Sequence, residues 1–192
     1  MNLSSHWIFS KRLATTSSIP LHFGDKILFL FGNLWPDLSI SFMRRPHTPA
    51  IMYDTIEYTI ASQFQNIREG MHPSYFQMGI ITHYLADFFC SAHNQPFGEN
   101  VQQHYQYEKA LQQFIQSSDF PQKDDCFRTD ATFCFHLKNL HADFAEKESD
   151  CQQDADYIAR ACCLFYYSAE HLMREISFEQ TIPHLTGEFK NI

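Results

Sequence analysis

Glycine is scarce, with six in 192 residues, and the long segments show little of the apolar–polar alternation that marks a half-buried strand. An all-α chain is the expectation. The six cysteines (Cys90, Cys126, Cys134, Cys151, Cys162, Cys163) form no CxxC pair, and the vicinal Cys162-Cys163 would make a poor disulfide framework, so reduced buried thiols are expected. The longest apolar run, Ile27 to Phe31, falls far short of the ~20 residues that span a bilayer. The start, MNLSSHWIFSKRLATTSS, lacks the basic region, apolar run and small-residue cleavage site of a secretory signal, which predicts a soluble, cytoplasmic protein. Positive charge is also short: 14 Lys and Arg against 22 Asp and Glu give a net charge of −8. That disfavours a sequence-independent nucleic-acid binder, although a bound cation would reverse the local sign for an anionic substrate.

What is plentiful is bulk. Hydrophobic residues make up 44% of the chain, with 19 Phe, 9 Tyr and 2 Trp, which excludes intrinsic disorder and supplies core for one compact multi-helix domain over residues 1–192.

Residues 79–108, GIITHYLADFFCSAHNQPFGENVQQHYQYE, stand out. They hold His83, Asp87, His93, His104 and Glu108, and both His83/Asp87 and His104/Glu108 are i, i+4 pairs that project from one helix face. Each pair can pinch a metal ion. On a straight helix His93 would lie about 15 Å beyond His83 and about 80° round the axis, while a zinc–ligand distance is only about 2 Å. Two neighbouring sites are therefore expected, one on His83 and Asp87, the other on His93, His104 and Glu108.

Along the chain, residues 3–16 read as a first helix capped by Ser4 or Ser5, with His6 in its first turn. Asp25 to Phe31 reads as a helical segment ended by Gly32-Asn33, delivering Asp37 on the loop NLWPDLS. His47 stands between Pro46 and Pro49 ahead of a helix from Ala50 to Arg68; Arg44 and Arg45 are a basic pair that a phosphate or solvent would meet. Pro73 suits the first turn of a helix reaching Ala92, and a second helix from Gly98 to Ser117 returns antiparallel to it. SSDFPQKDDC reads as a surface loop, followed by scaffold helices near 130–147 and 154–176. Of the remaining histidines only His141, near Asp143, has a nearby carboxylate to consider.

Together His6, Asp37, His47, His83, Asp87, His93, His104 and Glu108 supply five imidazoles and three carboxylates. Nitrogen and oxygen donors without thiolates suit catalytic zinc, or manganese or iron, and the number suffices for two open sites, or three if Asp87 bridges.

The order of these residues resembles the zinc-dependent phospholipase C family, related to the P1/S1 type nucleases. The resemblance rests on His6, the GNLWPD loop, His47 before a helix, the HYLADFFCSAH block and the HYQYE block, spanning residues 6–108. It implies an all-α fold around two or three zinc ions that hydrolyse phosphoesters. Asp37, His47, His83 and Asp87 would surround one ion, His93, His104 and Glu108 a second, and His6 with Asp87 a third. Secreted members complete the third site with the amine and carbonyl of an N-terminal tryptophan; here the amine of Met1, five residues before His6, would substitute.

The resemblance implies a phosphodiesterase acting on a phospholipid or other phosphoester, with Asp37 as metal ligand, general base or both. A single-strand nuclease or 3′-nucleotidase is the alternative enzyme, disfavoured by charge, and a non-catalytic metal-binding protein the alternative class. A di-iron bundle would need Glu-x-x-His motifs, whereas the spacing here is HxxxD and HxxxE.

Overall fold

Helix-forming segments with few glycines give a chain of helices, and the computed structural model describes residues 1–16, 21–40, 47–94, 101–118, 132–148 and 150–186, with side chains to residue 177. Among the described residues there are eight helices and no strand: α1 (Leu3–Thr15), α2 (Phe23–Leu38), α3 (Pro49–Arg68), α4 (Tyr75–Phe88), α5 (Ser91–Asn94), α6 (Val101–Ser117), α7 (Thr132–Ala145) and α8 (Cys151–Thr186). The all-α expectation holds. No described helix is long and apolar enough to cross a membrane.

The middle of the bundle is α4. Its sequence is apolar nearly all round, and a helix of that kind must be covered on every side. Every residue from Ile81 to Phe88 is buried, and α4 packs against α1, α2, α3 and α8. On the far side Phe64 of α3, Phe133 of α7 and Phe165 of α8 form a ring cluster. Burying each such side chain contributes roughly 1.5–3 kcal/mol.

The closest helix contact is between α2 and α4, and two glycines make it. A Cβ on Gly32 would lie 2.0 Å from the Phe76 carbonyl oxygen, and one on Gly79 would lie 2.2 Å from the Phe29 carbonyl oxygen. Neither site has room for any side chain. This corrects the reading of Gly32-Asn33 as a helix end: α2 continues to Leu38, with Gly32 and Asn33 buried and Pro36 inside its last turns. Asp37 thus sits in a helical turn rather than on a loop. Tertiary contact outweighs the local stop signal.

The other correction concerns the end of α4, which stops at Phe88 rather than Ala92. The Asn94 side-chain amide donates to the Phe88 carbonyl at 2.7 Å and the Cys90 carbonyl at 3.0 Å, satisfying acceptors that the broken helix leaves open. The short α5 then carries His93. Pro73 precedes the cap of α4, Ser74, rather than entering its first turn, and the cap of α1 is Asn2, whose side chain accepts from Ser5 N–H at 2.9 Å. The last helix starts three residues earlier than expected and runs on to Thr186. Arg44, Arg45, Cys126 and most of the 117–126 loop lie outside the described residues.

Two links fasten α1 to α6. Arg12 donates to the carbonyls of Ile115, Gln116 and Ser118 at 2.5, 3.0 and 2.8 Å, placing a cation where the final carbonyls of a helix need one. At the other end Asn2 donates to the Glu108 carbonyl at 3.3 Å and the Gln112 side chain at 3.0 Å. Met1 is thereby brought beside Glu108.

Candidate metal centre

The i, i+4 spacing on α4 puts His83 and Asp87 on one face, both fully buried. Asp87 is the hub. Its Oδ1 lies 2.5 Å from the Met1 amino nitrogen, 3.2 Å from His6 Nε2 and 3.6 Å from His93 Nε2. Its Oδ2 lies 3.2 Å from His47 Nδ1 and 3.3 Å from His83 Nε2. The two oxygens of one carboxylate therefore serve two different groups of nitrogens.

On the Oδ2 side, His83 Nε2 and His47 Nδ1 are 3.2 Å apart, and Asp37 Oδ1 is 3.8 Å from each. The His83 ring is locked from behind, because its Nδ1–H donates to the Asn33 carbonyl at 2.8 Å. That bond fixes the tautomer and leaves the Nε2 lone pair facing the cluster, the usual arrangement behind a metal-ligating histidine. Asn33 was the residue the sequence concealed, since its contribution is a backbone oxygen made available by α2 packing on α4.

A second i, i+4 pair, on α6, places His104 Nε2 3.4 Å from Glu108 Oε1. Across from it His93 Nε2 is 3.6 Å from the same oxygen. The break after Phe88 is what closes the gap between His93 and Asp87. The Met1 nitrogen also reaches this side, 2.8 Å from His93 Nε2 and 3.5 Å from Glu108 Oε1. Three donor groups result: His6, His83 and Asp87; Asp37, His47 and His83; His93, His104 and Glu108. All nine residues singled out from the sequence converge on one region.

Residues 5–162 match the zinc-dependent phospholipase C family. The chain belongs to this family. No curated protein and no solved structure matches it. The matched span contains every donor except Met1, and family and donor groups together mark the chain as a metal-dependent hydrolase for a phosphoester substrate, with zinc as its metal.

Electrostatics in this phospholipase C family centre follow from burial and from its one carboxylate hub. Burial, then the neighbouring His83, lowers the His6 pKa to about 3, so its ring is neutral at pH 7. Burial likewise lowers His93. For Asp87 burial acts upward, but the surrounding His93, Met1 amine, His83 and His6 outweigh it and hold the carboxyl well below its ordinary value. Burial raises Glu108 as well, and the His93 hydrogen bond and the Met1 amine overcome it, leaving about 2. The Met1 amine is lowered by burial yet pushed up to about 12, chiefly by Asp87. Asp37 behaves differently: burial raises its pKa, and the attraction of His83 offsets this only in part.

His141 and Asp143 do not meet as a pair. His141 Nε2 contacts the Asn94 side chain at 3.0 Å, while Asp143 accepts from Tyr157. His171 meets Glu175 at 3.4 Å, an exposed pair one turn apart on α8.

Proposed function

We propose that this protein is a phospholipase C-like phosphodiesterase of residues 1–192, using two or three zinc ions. The observation that carries the reading is the spacing of four donors. Five of the six separations among His47 Nδ1, His83 Nε2, Asp87 Oδ2 and Asp37 Oδ1 are 3.2–3.8 Å. Four ligands about 2.0–2.1 Å from a tetrahedral zinc are ~3.3–3.4 Å from one another. The donors fit zinc in chemistry and in spacing.

In this reading Asp37, His47, His83 and Asp87 would hold one ion, His93, His104 and Glu108 another, and His6, Asp87 and the Met1 amine, once its proton is displaced, a third. Bound zinc supplies a water of lowered pKa and neutralises charge on the phosphoryl oxygens. The chain's own residues do the rest. His83 is kept in one tautomer by Asn33. Asp37, with 25% of its side chain exposed against 1% for Asp87, stands where the cluster meets solvent. A carboxylate at the solvent-facing rim of the cluster can take a proton from an attacking water, so Asp37 is the proposed general base as well as a ligand.

A lipid fits the surroundings better than a nucleic acid. Helix α2, which carries Asp37 in its last turn, exposes Phe23, Ile27, Phe31 and Leu38, and the net charge of −8 offers no basic track for a polynucleotide. The test is phosphocholine release from a short-chain phosphatidylcholine by zinc-loaded protein, with Asp37→Asn expected to lower kcat about 10²–10⁴-fold. Absence of turnover across several head groups sinks the reading. Cleavage of single-stranded DNA or a 3′-nucleotide in its place moves the protein to the nuclease branch.

A further inference from the structure

Outside the metal centre one buried group is tied to both of its arms. Asp154, in the first turn of α8, is fully buried. Its Oδ2 accepts from Ser91 N–H at 2.6 Å and from Tyr107 O–H at 2.8 Å, and its Oδ1 accepts from the Ser91 hydroxyl at 2.7 Å. These three bonds all come from neutral donors rather than from a cation. A buried carboxylate matched in this way is expensive to keep, as the upward push of burial on its pKa reflects. An apolar side chain would pack α8 at less cost.

What the carboxylate adds is geometry. Ser91 opens α5 and stands two residues before His93; Tyr107 stands on α6 immediately before Glu108 and three residues after His104. A four-residue helix has too few internal bonds to hold its own orientation. Asp154 captures its first N–H and hydroxyl, and Asn94 closes the other end. On α6 neighbouring side chains point about 100° apart, so holding Tyr107 sets the rotation that presents Glu108 and His104.

We propose that Asp154 is a positioning residue that fixes His93, His104 and Glu108 as one metal-binding set while leaving the Asp37, His47 and His83 set untouched. This rests on the metal centre proposed above. Partners bonded directly to a metal ligand are worth about 10–100-fold in metal affinity, which bounds the effect of Asp154, whose bonds go to the residues beside the ligands.

The test reads metal rather than turnover. Full-length wild type, Asp154→Ala, Asp154→Asn and Tyr107→Phe are loaded with zinc and titrated with a chelator, and their cadmium forms are compared by cadmium-113 NMR, where each bound ion has its own line. Asp154→Ala is expected to weaken one equivalent by up to about 100-fold and to shift one line, the others staying in place. Tyr107→Phe is expected to weaken the same equivalent by less. Asp154→Asn should restore it, because the amide oxygen can accept from Ser91 N–H and Tyr107 while its NH₂ donates to the Ser91 hydroxyl. Unchanged affinities in Asp154→Ala, or an equal fall at every site, overturn the proposal. If Asp154→Ala does not fold, Tyr107→Phe decides, and an unaltered set of equivalents there overturns it. Metal bound by wild type without phosphodiester hydrolysis would defeat the functional reading and leave this one standing.

Discussion

Asp87 is sealed inside the bundle on the central helix, whereas Glu108 lies partly open on α6, and the two carboxylates close the inner and outer halves of the same centre. The inner half is made by packing. Its residues come from α1, α2, α4 and the approach to α3, and their positions follow from helices that touch backbone to backbone. The outer half is made by fastening: a four-residue helix, one face of α6, and hydrogen bonds donated by Asn2 and Asn94 and accepted by Asp154. Rigid packing suits a group that must bring buried like donors together, and fastened elements suit donors that face solvent.

The sharpest way to break this contrast is to remove the hub. Asp87→Asn leaves the buried Met1 amine without its nearer counter-charge, Glu108 standing 3.5 Å away, so the metal-free protein should lose about 3 kcal/mol in urea unfolding, with loss of more than one zinc equivalent. A loss confined to a single equivalent would mean that Asp87 does not join the two halves.

Next in size is the helix contact behind the inner half. In Gly79→Ala the new methyl meets the Phe29 carbonyl and the Asn33 amide backbone, so α2 and α4 must part. A cost of about 1–3 kcal/mol is expected, together with weakened zinc binding at the Asp37, His47 and His83 set. Retention of wild-type affinity there would show that the close approach serves stability alone.

The smallest effect is in pH. His6 has a folded pKa of about 3 against an ordinary 6.5, so the unfolded chain binds the extra proton and stability rises with pH between those values, being complete above 6.5. From pH 7 to 6 the metal-free protein should lose about 0.7 kcal/mol from His6, with the lowered His93 adding in the same direction. Glu108, at about 2, and Asp87, held well below its ordinary value, contribute stability that is lost only well below this window; the raised Met1 amine contributes below 8 and is lost only towards 12. His6→Phe should flatten the slope, and a slope unchanged in that variant would remove His6 as its source.

The sequence makes the donors legible to different depths. His83/Asp87 and His104/Glu108 can be read from spacing alone, because i, i+4 positions share a helix face wherever the helix goes. Asp37, His47 and His6 are legible only through their order along the chain, since no local period links them. The setting of Asp37 is misread because Gly32, Asn33 and Pro36 carry every local sign of a helix end, and only the face of α4, over forty residues later, reveals that Gly32 is there for contact. The end of α4 is hidden for a similar reason. No glycine or proline marks Phe88, and the groups that terminate it, Asn94 and the Asp154 that holds Ser91, act through space.

The interruption after Phe88 has a consequence for how such a chain can vary. Because the helix stops between Asp87 and His93, these five residues act as a coupling of fixed length between two machined parts. Adding or removing one would carry His93 away from Glu108 while the donors seated before it kept their register. The coupling is constrained in composition as well as in length, because Phe88, Phe89, Cys90 and Ala92 are buried and Ser91 is held by Asp154, so variation in the outer half is freer on α6 than here.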